Sequence, residues 1–159
     1  MTTDFRHTDD VIPADPNDKI AYPDAYLREI LESVFKVATL GYHPDLESAA
    51  YTECLKGLGY HVIPVNPVLA GEMHVSEVVP ARISDIPTKV DMLQVFGGPE
   101  DALFAAEGAA AAKEASGLKV LWLEPGTWNP EAARVAEAAG LKVVMGLDAA
   151  EQAERLGVR

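Results

Sequence analysis

The sequence predicts an α/β protein built on one mainly parallel, five-stranded sheet with helices on both faces. Apolar runs of strand length alternate with helical segments, and proline, asparagine and glycine fall between them. Such alternation is typical of parallel sheets, because each strand is reached through a crossover helix. The runs are continuously apolar, which indicates strands covered on both faces. Right-handed crossovers then give a three-layer, doubly wound, Rossmann-like arrangement.

Each element follows from its own local pattern. The first helix spans 23–35, where apolar residues recur at helical spacing after Pro23. Four further helices are predicted at 48–59, 99–116, 129–140 and 148–157. Gly59 ends the first of these, 99–116 is rich in alanine, and Asn129 and Gly140 cap the two ends of the third. Apolar runs predict five strands, at 36–41, 60–65, 91–96, 119–124 and 142–146. These strands are expected to be parallel and mutually adjacent, with the first strand central.

The chain of 159 residues has the length of one ordinary domain. Residues 1–20 are rich in Asp, Pro and Thr without periodicity and are predicted to form a flexible N-terminal arm, strapped to the domain through Phe5, Val11 or Ile12. The domain itself is predicted to span 21–159. Between the second and third strands the chain is irregular, with a short strand expected near Val75 and a helical turn around 83–86.

The charge balance excludes several classes of partner. There are 25 acidic and 13 basic residues, so the formal net charge is −12, and nucleic acids and anionic membrane surfaces are not expected to bind. No apolar run approaches ~20 residues, and the N-terminus has no apolar signal region. The single cysteine, Cys54, permits no internal disulfide and is predicted to be buried on one helix face with Ala50 and Leu58. A cytoplasmic location follows as the expectation.

Ligands of doubly wound sheets bind at the carboxyl ends of the strands. Here those ends are 41–48, 66–67, 96–100 and 124–129, and two of them carry glycines that suit either a ligand site or an ordinary turn. Gly41 stands alone after the first strand, so the dinucleotide fingerprint G-x-G-x-x-G is absent, as is the phosphate-loop lysine. Dinucleotide and triphosphate sites are therefore poorly supported.

Three blocks carry a family resemblance: GYHVIPVNP, SDIPTKVDMLQVF and WLEPGTWNPEAARVAEAAGLKVVM. In order and spacing they resemble the small stand-alone CoA-binding domain proteins, which are related to the N-terminal domain of the succinyl-CoA synthetase α subunit. The resemblance covers 24–147 and implies a site for CoA or acyl-CoA at the strand ends. The cofactor-binding residues that it implies, together with the strand ends, are Gly41, Tyr42, His43, Ser48, Asn66, Pro67, Phe96, Gly97, Gly98, Glu124, Gly126 and Trp128.

The charged residues depart from the family's pattern. Relatives usually have a longer, basic first loop with a serine that Ser48 matches, an Arg where Gly97 stands, and often a Gln where Glu124 stands. In this chain the acids near the predicted site are Asp45, Glu47, Glu100 and Glu124. Each close pair of like charges costs on the order of 1 kcal/mol in water, and the phosphates of CoA are anionic. Weak CoA binding is therefore expected.

The function expected from the sequence is non-catalytic binding of CoA, acyl-CoA or another adenine nucleotide. The alternative is a scaffold or interaction protein that has lost its ligand. No Ser-His-Asp or Cys-His spacing supports catalysis, and the histidines lack clustered partners, so no metal site is predicted. His43 suits either a solvated loop or a phosphate contact, and Trp128 suits either ligand stacking or cover of the sheet edge. The oligomeric state is left open.

Overall fold

The computed structural model describes residues 5–13, 15, 18 and 20–158. Its strands are β1 Lys36–Leu40, β2 His61–Val65, β3 Met73–His74, β4 Glu77–Val78, β5 Met92–Val95, β6 Val120–Leu123 and β7 Lys142–Met145. Its α-helices are α1 Asp24–Ser33, α2 Glu47–Gly57, α3 Pro99–Ser116, α4 Pro130–Ala138 and α5 Ala149–Arg155. Helix α3 packs on α4, whereas α5 contacts α1 and α2. These two groups form the outer layers of the predicted three-layer architecture.

The five long strands form one parallel sheet in the order β2-β1-β5-β6-β7. This confirms the predicted Rossmann-like α/β fold. The prediction that β1 is central needs correction, since β1 is an interior strand between β2 and β5 while β5 occupies the middle of the sheet. The strand order reverses between β1 and β5, which is the position where doubly wound sheets bind ligands.

The edge strand β7 is protected by two tyrosine hydroxyls. The Tyr26 hydroxyl donates to the Val143 carbonyl at 2.8 Å and accepts from the Val143 amide at 3.0 Å. The Tyr22 hydroxyl accepts from the Met145 amide at 2.9 Å. Both tyrosines are buried, so these bonds satisfy backbone groups that an open sheet edge would leave unpaired.

Part of the predicted N-terminal arm lies over these tyrosines. The Phe5 ring packs edge-on against Tyr22 and Tyr26, with ring centroids 5.6 and 4.6 Å apart. Thr8 is buried, and its amide donates to a Glu137 carboxylate oxygen at 2.9 Å. Val11 also packs against the core. The described residues 5–11 therefore add apolar and polar contacts to this side of the domain.

The predicted burial of Cys54 is wrong, because α2 turns a different face to the protein. Cys54 is exposed, and the buried residues of this helix are Ser48, Thr52 and Leu55. The two hydroxyls are tolerated inside because both are hydrogen-bonded: Thr52 Oγ1 donates to the Ser48 carbonyl, and Ser48 Oγ accepts from the His43 amide. Trp122, in contrast, is fully buried in β6.

The irregular segment contains a two-stranded hairpin, β3 and β4, where one short strand was expected. Val75 and Ser76 form its turn with positive φ angles of 56° and 65°. A strand was predicted near Val75, and the structure has the hairpin turn there. A 3₁₀-helix at Ile83–Asp85 matches the predicted helical turn. Across the described part of the chain, none of the helices has the length and apolar character needed to cross a membrane.

Candidate functional site

Two adjoining cavities open at the carboxyl ends of β1 and β5, where the strand order reverses. The larger cavity, of about 560 Å³, is lined by Gly41, Leu46, Glu47, Ser48, Tyr51, Phe96, Gly97, Asp101, Glu124 and Pro125. The smaller, of about 300 Å³, is lined by Leu40, Gly41, Val65, Asn66, Pro67, Val95, Phe96, Asp101 and Phe104. Gly41, Phe96 and Asp101 line both cavities, so the two adjoin and together form one candidate site. Its size suits a small organic ligand.

Gly41 allows the ends of β1 and β5 to approach each other closely. Its φ angle is +83°, and a Cβ atom placed there would lie 2.4 Å from the Phe96 carbonyl oxygen. A side chain at this position would therefore meet both a strained backbone conformation and a backbone atom. The narrow floor shared by the two cavities depends on this glycine.

Gly97 stands where the family resemblance implies an arginine, and its backbone conformation disfavours any side chain at this position. Its φ angle is +130°, and a Cβ atom would lie 2.4 Å from the Asp101 carboxylate oxygen Oδ2. That same oxygen accepts a hydrogen bond of 2.8 Å from the Gly98 amide at the start of α3. Asp101 thus occupies a helix N-terminal donor that would otherwise be available to an anion.

Glu124 is the most unusual side chain of the site. It is 0% exposed at the end of β6, and its oxygen Oε2 accepts from Gln94 Nε2 at 3.1 Å and from the Ala149 amide at 3.2 Å. The pKa of Glu124 is raised to about 8, chiefly by burial; the hydrogen bond from Gln94 opposes this shift, the charge of Asp148 adds to it, and the bond from the Ala149 amide opposes it. Glu124 is therefore mostly uncharged at neutral pH.

A buried polar chain fixes the orientation of Glu124. Thr39 Oγ1 donates to Gln94 Oε1 at 2.8 Å, and the Gln94 amide nitrogen then donates to Glu124. This chain crosses three neighbouring strands of the sheet, and all three side chains are buried. The second oxygen of Glu124, Oε1, is buried without a hydrogen-bond partner among the described residues. Native proteins leave few buried polar atoms unpaired, so this atom is a candidate contact for a ligand.

An aromatic pair forms one wall of the larger cavity. The rings of Tyr51 on α2 and Phe96 after β5 are stacked, with centroids 5.7 Å apart and an interplanar angle of 17°. Both residues line the cavity. The pair supplies a flat apolar surface next to the polar floor at Glu124.

Seven of the twelve sequence-predicted residues line the two cavities: Gly41, Ser48, Asn66, Pro67, Phe96, Gly97 and Glu124. The other five lie nearby, outside these linings. Tyr42 packs in a small cluster with Leu69 and Val79, and the His43 amide donates to Ser48 Oγ. Gly98 begins α3, Gly126 lies in the loop after β6, and Trp128 packs partly buried against the core.

The negative charges at the site differ from those expected from the sequence. Glu124 was counted among the charges that repel phosphate, but its raised pKa makes it largely neutral at pH 7. Asp45 and Glu100 are exposed and lie outside both linings, whereas Glu47 and Asp101 line the larger cavity. Among the described residues that form these linings there is no Lys or Arg. The carboxylates that oppose an anionic ligand are therefore Glu47 and Asp101.

Sequence reasoning missed Tyr51, Asp101 and Phe104. Asp101 has a local signal, since an acidic residue three positions after Gly98 is placed to bond the first free amide of a helix. Tyr51 lies one helical turn after Ser48 and so faces the same cavity. The exposed Phe104 lies a similar distance beyond Asp101 and lines the smaller cavity.

Residues 36–147 match a family model described as a CoA binding domain. The uncharacterized protein YneT of Bacillus subtilis (strain 168) is 28% identical over 125 residues, covering 77% of this chain and 88% of that protein.

Two solved structures share the architecture along most of their length. A hypothetical protein from Pyrococcus horikoshii OT3 is 31% identical with a TM-score of 0.76, covering 85% of this chain and 92% of that chain. Prb, described as the PH1109 protein redesigned for binding, is 30% identical with a TM-score of 0.77, covering 92% of this chain and 97% of that chain.

Proposed function

The chain belongs to the CoA-binding domain family, and on that premise we propose that it binds CoA or an acyl-CoA, without catalysing a reaction, in the candidate site between the ends of β1 and β5. The observation that carries the proposal is the pair of adjoining cavities at the point where the strand order reverses. A neutral polar floor at Glu124 and an aromatic wall at Tyr51 and Phe96 offer contacts for the uncharged parts of such a ligand.

The residues that would hold CoA supply backbone donors and apolar surface more than charge. Gly41 and Gly97 present only backbone atoms to the larger cavity. Free amides at the start of α2 favour an anion by only about 0.3–1 kcal/mol when exposed. Without a basic side chain in the described linings, the phosphates would gain little from the protein.

The first expected result is weak CoA binding. Titration calorimetry at physiological salt should give a dissociation constant in the micromolar range or weaker, because the charge-assisted bonds that tighten phosphate binding are missing. Sub-micromolar binding would contradict this expectation and would require the backbone donors to contribute far more.

A second expected result identifies the charges that limit affinity. Replacing Glu47→Lys together with Asp101→Asn removes two carboxylates from the larger cavity and adds one cation, while the asparagine keeps an acceptor for the Gly98 amide. New charge-assisted bonds contribute about 1.5–3 kcal/mol each, so CoA affinity should rise tenfold or more. The gain should shrink at high salt.

The control for a charge reversal away from the site is Glu114→Lys, since Glu114 is exposed near the far end of α3. This variant should leave CoA affinity within about twofold of the unmodified protein, because screening weakens distant charges. If the double variant folds normally yet gains no affinity at low or high salt, charge is not what limits binding.

The alternative function, a scaffold that has lost its ligand, is favoured by one observation: the Asp101 carboxylate already occupies the Gly98 amide. Protein purified from its native cells distinguishes the two functions. Under the proposed function, denaturation should release a compound with adenine absorbance and the mass of CoA or an acyl-CoA. A scaffold should release none and should show no response to CoA at millimolar concentration.

A further inference from the structure

Glu124 lines the larger cavity and is fully buried, yet among the described residues only one of its two oxygens has a partner. Oε2 accepts both available hydrogen bonds, from Gln94 and Ala149. Oε1 has less than 1 Å² of exposed surface and no partner among the described residues. A buried carboxyl with one satisfied oxygen and one free oxygen bears its proton on the free oxygen, because Oε2 faces only donors.

We propose that Glu124 is a ligand-binding residue, whose Oε1–H group donates a hydrogen bond to an uncharged carbonyl oxygen of the molecule bound in the larger cavity. The inference rests on the proposed function and adds the chemistry that this end of the site recognises. The pantetheine arm of CoA carries amide carbonyls, and an acyl-CoA adds the thioester carbonyl. The proton remains on Glu124, and no covalent step is involved.

The surroundings favour an uncharged acceptor over a phosphate. Asp148 at the start of α5 contributes a negative charge that acts on Glu124. Glu47 on α2 and Asp101 on α3 line the same cavity, and no Lys or Arg is present among its described lining residues. A phosphate beside Glu124 would meet these carboxylates without compensation, whereas a neutral carbonyl would gain a buried hydrogen bond.

A glutamine at this position provides a matched comparison. The side-chain amide has the same shape as a protonated carboxyl, with its oxygen placed to accept from Gln94 and Ala149 and its NH₂ group placed to donate. Glutamine donates at every pH, whereas Glu124 donates only while it holds its proton. The two side chains should therefore bind the ligand alike at neutral pH and differently in alkali.

The test measures CoA affinity by calorimetry at pH 7 and pH 9 for the unmodified protein, Glu124→Gln and Glu124→Ala. With a pKa of about 8, the protonated fraction falls about tenfold between these pH values, and the affinity should fall by the same factor. Glu124→Gln should bind within about threefold of the unmodified protein at pH 7 and should show no such loss. Glu124→Ala should bind about tenfold more weakly at pH 7.

The ionisable groups of CoA are the same in every titration, and the other ionisable residues around the cavity, Glu47, Asp101, Asp148 and Tyr51, are present in every variant. Only the difference between the unmodified protein and Glu124→Gln reports on Glu124. Parallel pH profiles for these two proteins would overturn the inference while leaving the proposed function in place, as would full affinity in Glu124→Ala. Absence of CoA binding at every pH would overturn both.

Ligand fragments separate the two acceptor types. Pantetheine carries the amides without phosphate, and ADP carries phosphates without the amides. In NMR titrations pantetheine should reproduce the loss of affinity between pH 7 and pH 9, and ADP should not. A pH-dependent difference between the unmodified protein and Glu124→Gln that appears with ADP alone would assign the contact to a phosphate and overturn the neutral-carbonyl inference.

Discussion

The Glu124→Gln variant should be more stable than the unmodified protein at alkaline pH, by several kcal/mol. Glu124 has a pKa of about 8 in the folded protein against 4.5 as its ordinary value, so between these pH values the folded state binds more protons than the unfolded state. The unfolding free energy of the unmodified protein therefore falls as pH rises through this window. A shift of this size corresponds to about 3–5 kcal/mol once pH exceeds the folded-state pKa.

Urea unfolding at pH 5, 7 and 9 measures the effect. The two proteins should be nearly equal at pH 5, and their difference should grow with pH until about pH 8–9 and then level off. Glu114→Gln is the control, since Glu114 is exposed at the surface, and its effect should stay within about 0.5 kcal/mol at every pH. Parallel unfolding curves for Glu124→Gln and the unmodified protein would mean that folding does not change the pKa of Glu124.

The strands could be predicted from the sequence because each lies between two layers of helices. Burial on both faces requires continuous apolar runs, and β5 and β6 are buried at every position. Helix α3 was predicted from its alanine-rich run with the bounds that it has, 99–116. In the structure Pro99 is its first residue and Gly117 its C-cap. Strand order was harder to predict, because an apolar run does not indicate which other strands a strand pairs with. For this reason β1, and not β5, was expected in the middle of the sheet.

The chemistry of the site depended on contacts that no local pattern contains. Glu124 lies 30 residues from Gln94 and 25 from Ala149, and these partners and its burial together determine its protonation. The burial of Cys54 was wrongly predicted for a related reason. Its apolar spacing suggested a buried face, but α2 buries Ser48 and Thr52, whose hydroxyls find partners in the folded chain. Sequence patterns predict apolar burial well and satisfied polar burial poorly.

The Gly41→Ala variant should be strongly destabilised, and more so than alanine at a glycine with similar backbone geometry. Gly41 has φ +83°, and its added Cβ would lie 2.4 Å from the Phe96 carbonyl oxygen and 3.0 Å from the carbonyl carbon. Phe96 is itself held by a 3.0 Å hydrogen bond from its amide to the Leu40 carbonyl. Relief of the clash therefore requires the ends of β1 and β5 to separate, which opens the floor of the candidate site.

Gly71→Ala is the matched control for Gly41→Ala, because Gly71 has φ +89° but no atom within 4 Å of its added Cβ. The unfolding free energy of Gly71→Ala should fall by only about 1 kcal/mol, the cost of alanine at a positive φ angle. The unfolding free energy of Gly41→Ala should fall by about 1–3 kcal/mol more, as overpacking against fixed backbone does. Urea unfolding of both variants at pH 7 measures the difference, and CoA affinity should fall in Gly41→Ala alone. Equal losses of stability in the two variants would show that backbone conformation, and not the contact between β1 and β5, is what requires glycine at position 41.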